Sequence, residues 1–569
     1  VEPWFRVRFR IGAGTPVRAP GERGSAMGDR PAVAAGEEYH DFLVIGAGIC
    51  GIYQLIRLRE LDADVLVIDK NADVGGTWFN NRYPGCRFDS ESYTYGLSFS
   101  KEVLEEWDWT EHFSPQPETL RYLQFLTEKF GLRKDMQFDC SVRSTHWDEA
   151  SRTWLTTLED GRHYRSRFLI TALGLISAPT PPRYVGMERF RGPSFHTYDW
   201  PHDPPSLAGK RVAVIGTGAT GVQVISAIAD QVGELFVYQR RPNWCAPLRN
   251  RKISTEEMAE IRARYDEIFA KCARTPGGFI HAPDPRSFFD VPEQERWAFW
   301  EHLYNTPGFE KWVGNFREVL MDEAANAEFS AFVANKIRER VKDPVLAEKL
   351  IPKDHGFGVQ RVPLETNYYE AYNRDNVHLV EIEDTPIEEI TERGIRTSDG
   401  EREFDIIVYA TGFDAVTGAF DRIDFRGVDG VALKDLWAED PQTYLGVFVH
   451  GFPNMVMLAG PQGASNSTNF PRAIETGVDW ATALFRYILD HGYTRVEAGE
   501  QVQQDWAEEV RNMYQMLLLR KAKSWFTGYN ENIDGRNRSR NLIYNGGAPR
   551  YRKILERVSS SGYTGIDFD

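Results

Sequence analysis

Apolar and polar positions along the chain fall into two copies of one pattern. Asp41-Phe-Leu-Val-Ile-Gly-Ala-Gly-Ile-Cys-Gly51 is a short apolar run, a glycine turn, and the start of a helical segment. A second apolar run, Ala63 to Asp69, follows and ends in a carboxylate. The same order recurs from Arg211 to Gly221, with its second run at Glu234 to Tyr238. Each block predicts strand, turn, helix, strand. Further on, Met258, Ile261, Tyr265, Ile268, Phe269 and Cys272 recur at helical spacing behind Ser254-Thr-Glu-Glu257, a capping-box pattern. That stripe predicts helices with a core-facing side. Asp405 to Asp414 reads as an apolar strand ending in Ala-Thr-Gly, and Met455 to Gly460 as another buried strand.

The two glycine turns carry chemistry. Gly46 permits a tight turn, Gly48 lets backbone approach a pyrophosphate, and Gly51 allows close helix packing, with the helix N-terminus facing the anion. Asp69 stands where a ribose hydroxyl acceptor is expected. In the second block Gly216, Gly218 and Gly221 repeat the arrangement. The offset from Gly46 to Asp69 equals that from Gly216 to Gln239, so Gln239-Arg240-Arg241 replaces the acid. A carboxylate there would repel a ribose 2′-phosphate, whereas a guanidinium pairs with it. The first site is read as FAD and the second as NADPH. The fold class expected is α/β, with two Rossmann-like dinucleotide-binding domains and a helical insertion in the second.

Composition narrows the class further. The chain has 569 residues and a net charge of −16 (67 basic, 83 acidic), which argues against nucleic acid or an anionic membrane as a partner. No apolar run approaches a membrane span. The five cysteines are odd in number and widely spaced, so neither a disulfide framework nor a metal site is expected, and the thiols read as reduced and cytoplasmic. With no redox cysteine pair, electrons from NADPH would pass through flavin to molecular oxygen. The arginine-rich start, residues 1–26, lacks a secretory apolar core and reads as a disordered leader or an extension ahead of Met27.

Two longer motifs name a family. Phe190-Arg-Gly192-Pro-Ser-Phe-His196-Thr-Tyr-Asp-Trp200-Pro201 fits the F-x-G-x-x-x-H-x-x-x-W-P fingerprint of Baeyer–Villiger monooxygenases. Gly76-Thr77-Trp78-Phe-Asn-Asn-Arg-Tyr83-Pro84-Gly85-Cys-Arg-Phe-Asp89 resembles the second family signature. The resemblance runs from about residue 40 to the C-terminus. It implies insertion of one oxygen atom from O2 beside a ketone carbonyl, giving an ester or lactone through a C4a-peroxyflavin, with NADPH as reductant. Arg361 matches the active-site arginine, which would stabilise the anions. Asp89 would orient it. Gln360 stands where many members carry Lys, leaving more of the phosphate recognition to Arg240 and Arg241. His196 is expected to order the hinge between units, with Trp200 packed beside it. Trp78 and Tyr95 are expected near the flavin, and Trp525 at the nicotinamide cleft.

The candidate cofactor set is Gly46, Gly48, Gly51, Asp69, Thr77, Trp78, Asp89 and Tyr95 at the first site. At the second it is Gly216, Thr217, Gly218, Thr220, Gly221, Gln223, Arg240, Arg241 and Trp525. The expected organisation is a leader (1–38), a first FAD part (39–174), a first NADP part (175–250), a helical insertion (251–354), a second NADP part (355–400) and a second FAD part (401–569). A monomer or small homo-oligomer is expected. The loop from Gln462 to Arg472 is expected to border the pocket, and the resemblance leans toward large cyclic, polycyclic or terpenoid ketones. An N- or S-oxygenating flavin monooxygenase is the alternative, and a flavin-binding protein without turnover a remoter one.

Overall fold

The structure is a computed structural model that describes Ala34 and residues 36–569. Most of the expected leader lies outside these residues. Its last part does not, because Glu37 and Glu38 already belong to the first strand, Glu37–Ile45.

Two sheets carry the two sequence blocks. The first has eight strands. Glu37–Ile45 lies between Val65–Ile68 and His163–Thr171, parallel to both. The C-terminal half of His163–Thr171 also pairs with Met455–Met457, which brings a late segment of the chain into this sheet. Its buried runs are apolar on both faces, as a sheet covered by helices requires. The helix Ile49–Arg59 covers one face and packs on the long helix Phe470–His491.

The second sheet is fully parallel, in the order Val377–Glu381, Glu234–Gln239, Arg211–Ile215, Ile406–Tyr409, Ser194–His196. Here the structure corrects the sequence reading. Ile406–Tyr409 is the partner of Arg211–Ile215, so a boundary at 400/401 cuts a strand from its own sheet. An apolar strand ending in Ala-Thr-Gly carries no label for which of two like sheets it joins.

Between Ala246–Pro247 and its parallel partner Leu364–Glu365 the chain makes a mostly helical excursion, including Thr255–Ala263, Tyr265–Arg274, Glu293–Asn305 and Glu323–Arg340. Ser254 caps the first of these through the Glu257 N–H. Glu257 does not complete the box. Its carboxylate binds His112 and Arg251. Met258, Tyr265, Phe269 and Cys272 are buried, while Ile261 and Ile268 are half-buried. No helix among the described residues is long and apolar enough to cross a membrane.

Candidate active site

The two glycine turns are built to the same plan. Gly46 has φ +115° and donates to the Ile68 carbonyl; a Cβ there would stand 2.4 Å from the Ala172 carbonyl oxygen. Gly216 has φ +114° and donates to the Tyr238 carbonyl; its Cβ would stand 2.4 Å from the Ala410 carbonyl oxygen. In each copy the third glycine packs on the first: a Cβ on Gly51 or Gly221 would lie 1.8 Å or 2.1 Å from the Gly46 or Gly216 oxygen. Only glycine fits these contacts.

Both turns suit a dinucleotide. The N-caps Gly48 and Gly218 give their helices no side-chain cap, and neither first turn holds an acid. The leading amides are therefore left to an anionic ligand. Around Gly48 the floor is also backbone, since a Cβ there would reach the Gly76 Cα at 3.6 Å and the Gly76 nitrogen at 4.0 Å. Thr77 opens the short helix after Gly76. Asp69 is buried, and its two oxygens accept from the Ala47 and Asn71 N–H groups. Burial pushes its carboxyl upward, opposed by those two bonds.

At the second site Gln239 is buried and donates to the Lys349 carbonyl. Arg240 and Arg241 follow at the strand end and close on one carboxylate, Glu531, at 3.0 Å and 3.2 Å. A carboxylate gripped by two guanidiniums marks a place suited to an anion. Thr217 donates to the Arg241 carbonyl, which fixes this segment to the turn. Gln223 is committed to protein: its amide donates to the Arg87 carbonyl, and its oxygen accepts from Tyr83. Thr220 interacts with the same Tyr83 hydroxyl. Gly85, φ +82°, lets the Tyr83-Pro84-Gly85 loop lie on the helix, where a Cβ would stand 2.5 Å from the Gln223 carbonyl oxygen. The second family motif thus docks the first unit onto the second.

That loop ends at Asp89, which is buried. Its Oδ2 accepts from Arg361 Nη2 at 2.9 Å and from the Leu364 N–H at 3.3 Å. The Arg361 guanidinium also donates to the Val362 carbonyl and lies over the rings of Phe309, at 5.0 Å, and Trp312, at 5.9 Å. Carboxylate, carbonyl and two ring faces leave it one orientation, with part of the side chain still exposed.

A model of the FMO-like family, flavin-binding monooxygenase-like, matches residues 40–265. 2-oxo-Delta(3)-4,5,5-trimethylcyclopentenylacetyl-CoA monooxygenase from Pseudomonas putida is 46% identical over 93% of this chain and 98% of its own length. Cyclohexanone 1,2-monooxygenase from Acinetobacter sp is 39% identical over 93% of this chain and 96% of its own. The crystal structure of OTEMO in complex with FAD and NADP matches with a TM-score of 0.90 and 45% identity, over 93% of this chain and 99% of that one. The chain belongs to the Baeyer–Villiger monooxygenases.

The remaining Baeyer–Villiger motif residues serve architecture. His196 ends its strand, accepts from the Tyr198 N–H at 3.0 Å and meets the Phe413 ring edge-on. Burial lowers its pKa to about 4, so the ring is neutral. Trp200 does not pack on it. After the short helical turn Thr197–Asp199, Trp200 lies on Phe195, with ring centroids 4.7 Å apart. Phe190 packs in the core of the second sheet, and Gly192 lies where a Cβ would stand 2.3 Å from the Asp405 carbonyl oxygen. Pro201 follows half-buried. Trp78 donates to the Tyr95 hydroxyl, whose ring stacks on Phe88 at 4.1 Å. Both are thereby committed to an aromatic cluster behind the first turn. Trp525 is half-buried against Phe526.

Sequence reasoning missed Phe309, Trp312 and Glu531. Each lies far in sequence from the residue it serves, without a motif around it. Gly76 and Ala410 stood inside motifs without being named as site residues, and Ala172 was missed, though both alanines sit one residue past a strand in Ala-x-Gly, a legible signal.

Proposed function

We propose that this enzyme converts bulky cyclic ketones into lactones or esters: ketone, O2, NADPH and a proton give the ester, NADP+ and water. The observation that carries this is the Asp89–Arg361 pair, whose guanidinium lies over two ring faces at the junction of the two dinucleotide units. FAD, when bound, takes hydride from NADPH and activates oxygen. The protein supplies position and charge. Gly46, Gly48, Gly51 and the helix behind them would hold the FAD pyrophosphate, and Asp69 would meet its ribose. Gly216, Gly218 and Gly221 would hold the NADPH pyrophosphate, with Arg240 and Arg241 on the 2′-phosphate.

Arg361 offers a fixed positive charge to the oxygen that turns negative when the ketone carbon is attacked. A guanidinium keeps its charge across the working pH range and does not give up a proton. Asp89 keeps that charge aimed without moving it. The preference for a bulky ring is supported by the Pseudomonas putida relative, whose name specifies a trimethylcyclopentenyl group. The partners are a small-molecule ketone and O2, and the enzyme acts in the cytoplasm as a monomer or small homo-oligomer.

The test is a panel of monocyclic, bicyclic and terpenoid ketones with one sulfide and one amine, products being read by mass spectrometry. Lactone from the larger ketones supports the reading. Oxygenation of only the sulfide or amine refutes it.

A further inference from the structure

Lys311 is a buried lysine with no part in the reaction described above. Its ammonium makes no ion pair within hydrogen-bonding distance among the described residues. It donates instead to three carbonyls: Pro247 at 2.7 Å, Thr306 at 2.7 Å and Gly308 at 2.9 Å. Burial, together with Arg249 nearby, drives its pKa down to about 7, against the pull of Glu310, Glu365 and Glu91. A stem that long, buried with its charge, costs more than an apolar side chain would. Its placement explains what the charge is for.

The three carbonyls belong to two segments that meet beside Arg361. Thr306 and Gly308 form the turn leading into the short helix Glu310–Val313; the turn presents Phe309 and the helix presents Trp312 to the guanidinium. Pro247 lies on the strand whose parallel partner is Leu364–Glu365, just past Arg361. Leu364 donates its N–H to Asp89. The turn also touches the first unit. Gly308 has φ +68°, and a Cβ there would stand 2.7 Å from Glu91 Oε1, two residues beyond Asp89. One ammonium therefore ties the ring-bearing turn to the strand that fixes the backbone of Arg361.

We infer that Lys311 is a positioning residue for the oxygen-insertion step, holding the Phe309 and Trp312 rings against Arg361 through its three carbonyl bonds. This rests on the assignment of Arg361 above. Loss of the knot lets the turn drift, the guanidinium loses its ring faces, and the positive charge no longer sits where the ketone oxygen becomes negative. Hydride transfer from NADPH, which does not use Arg361's aim in this scheme, is left intact.

Lys311→Met removes all three donors at similar length; Lys311→Gln keeps two on a shorter stem. In flavin-loaded K311M the rate of anaerobic flavin reduction by NADPH should stay within about twofold of wild type. The lactone formed per NADPH consumed should fall by about tenfold or more, because small misplacements of a charge-stabilising group are costly. K311Q should fall between. Independently of turnover, amide exchange should quicken by about tenfold or more in the 303–313 segment of K311M, while the Val65–Ile68 strand stays protected. Wild-type lactone yield in the variants overturns the inference. So does a parallel loss of reduction and insertion, or a failure of both variants to hold FAD, either of which makes Lys311 a folding residue only. If Arg361→Ala forms lactone normally, the underlying assignment fails instead, whatever the Lys311 variants do.

Discussion

Asp89 and Arg361, 272 residues apart in the chain, form an ion pair 2.9 Å long in which the carboxylate is 5% exposed. Its Oδ2 also accepts the Leu364 N–H, so one oxygen fixes both the arginine head and the backbone just after it. Arg361→Ala should therefore leave FAD bound and reducible by NADPH while lowering lactone formation by about a hundredfold to a thousandfold. Asp89→Asn keeps the shape but loses the charge, and should lose about tenfold to a hundredfold at the same step. Stopped-flow reduction followed by product quantification separates the two half-reactions. Equal damage to both would remove the specific role.

Arg240 and Arg241 give a second prediction, because Glu531 now lies between them. A 2′-phosphate would have to displace that carboxylate. All three side chains are partly exposed, so the pairs are worth roughly 0.2–1 kcal/mol each. Glu531→Gln should lower KM for NADPH by about twofold to tenfold. It should move KM for NADH less. Arg240→Ala should raise KM for NADPH far more than that for NADH. Equal shifts for both coenzymes would refute phosphate recognition here.

Much of this was readable from the chain because local rules governed it. Gly51 and Gly221 are dictated by backbone contacts with Gly46 and Gly216 inside their own strand–turn–helix units, so spacing exposes the set, while the Ala172 and Ala410 carbonyls behind Gly46 and Gly216 come from distant strands. Asp89 and Arg361 were legible through longer motifs, although only the fold brings them together. What was not legible is long-range. Ile406–Tyr409 could have joined either sheet, because each accepts a buried apolar strand in parallel. Trp200 follows His196 closely, yet the turn Thr197–Asp199 between them brings it onto Phe195. Lys311 looks like any surface lysine until its three carbonyl partners are placed around it.

The matched turns supply a third prediction. Gly46→Ala and Gly216→Ala introduce the same clash, 2.4 Å from a strand-end carbonyl, at a φ near +115° that a Cβ strains. The local cost is about 1–3 kcal/mol or more in each. The consequences should differ by site. G46A should purify with little FAD. G216A should keep its yellow colour and lose affinity for NADPH by about tenfold or more. Flavin absorbance and a coenzyme titration read the two separately. Loss of FAD from G216A alone would reverse the assignment of the two units.

His196 makes stability depend on acidity. Burial holds its pKa near 4, below the ordinary 6.5, with Asp199 opposing only in part. The folded protein therefore keeps His196 neutral where the unfolded chain already binds a proton. Stability contributed by the neutral ring is present above about pH 6.5 and is lost as pH falls from there toward 4. By pH 4.5 this single group should cost roughly 2–3 kcal/mol relative to pH 7. His196→Asn can still accept from the Tyr198 N–H, its Oδ1 standing where Nδ1 does, but cannot titrate. It should be less stable than wild type at pH 7, since Asn does not fill the space against Phe413. Its further loss between pH 7 and 4.5 should nonetheless be smaller than that of wild type, by about the same 2–3 kcal/mol. Urea midpoints for both proteins at the two pH values decide it. Parallel losses would show that His196 is not the group whose protonation the fold resists.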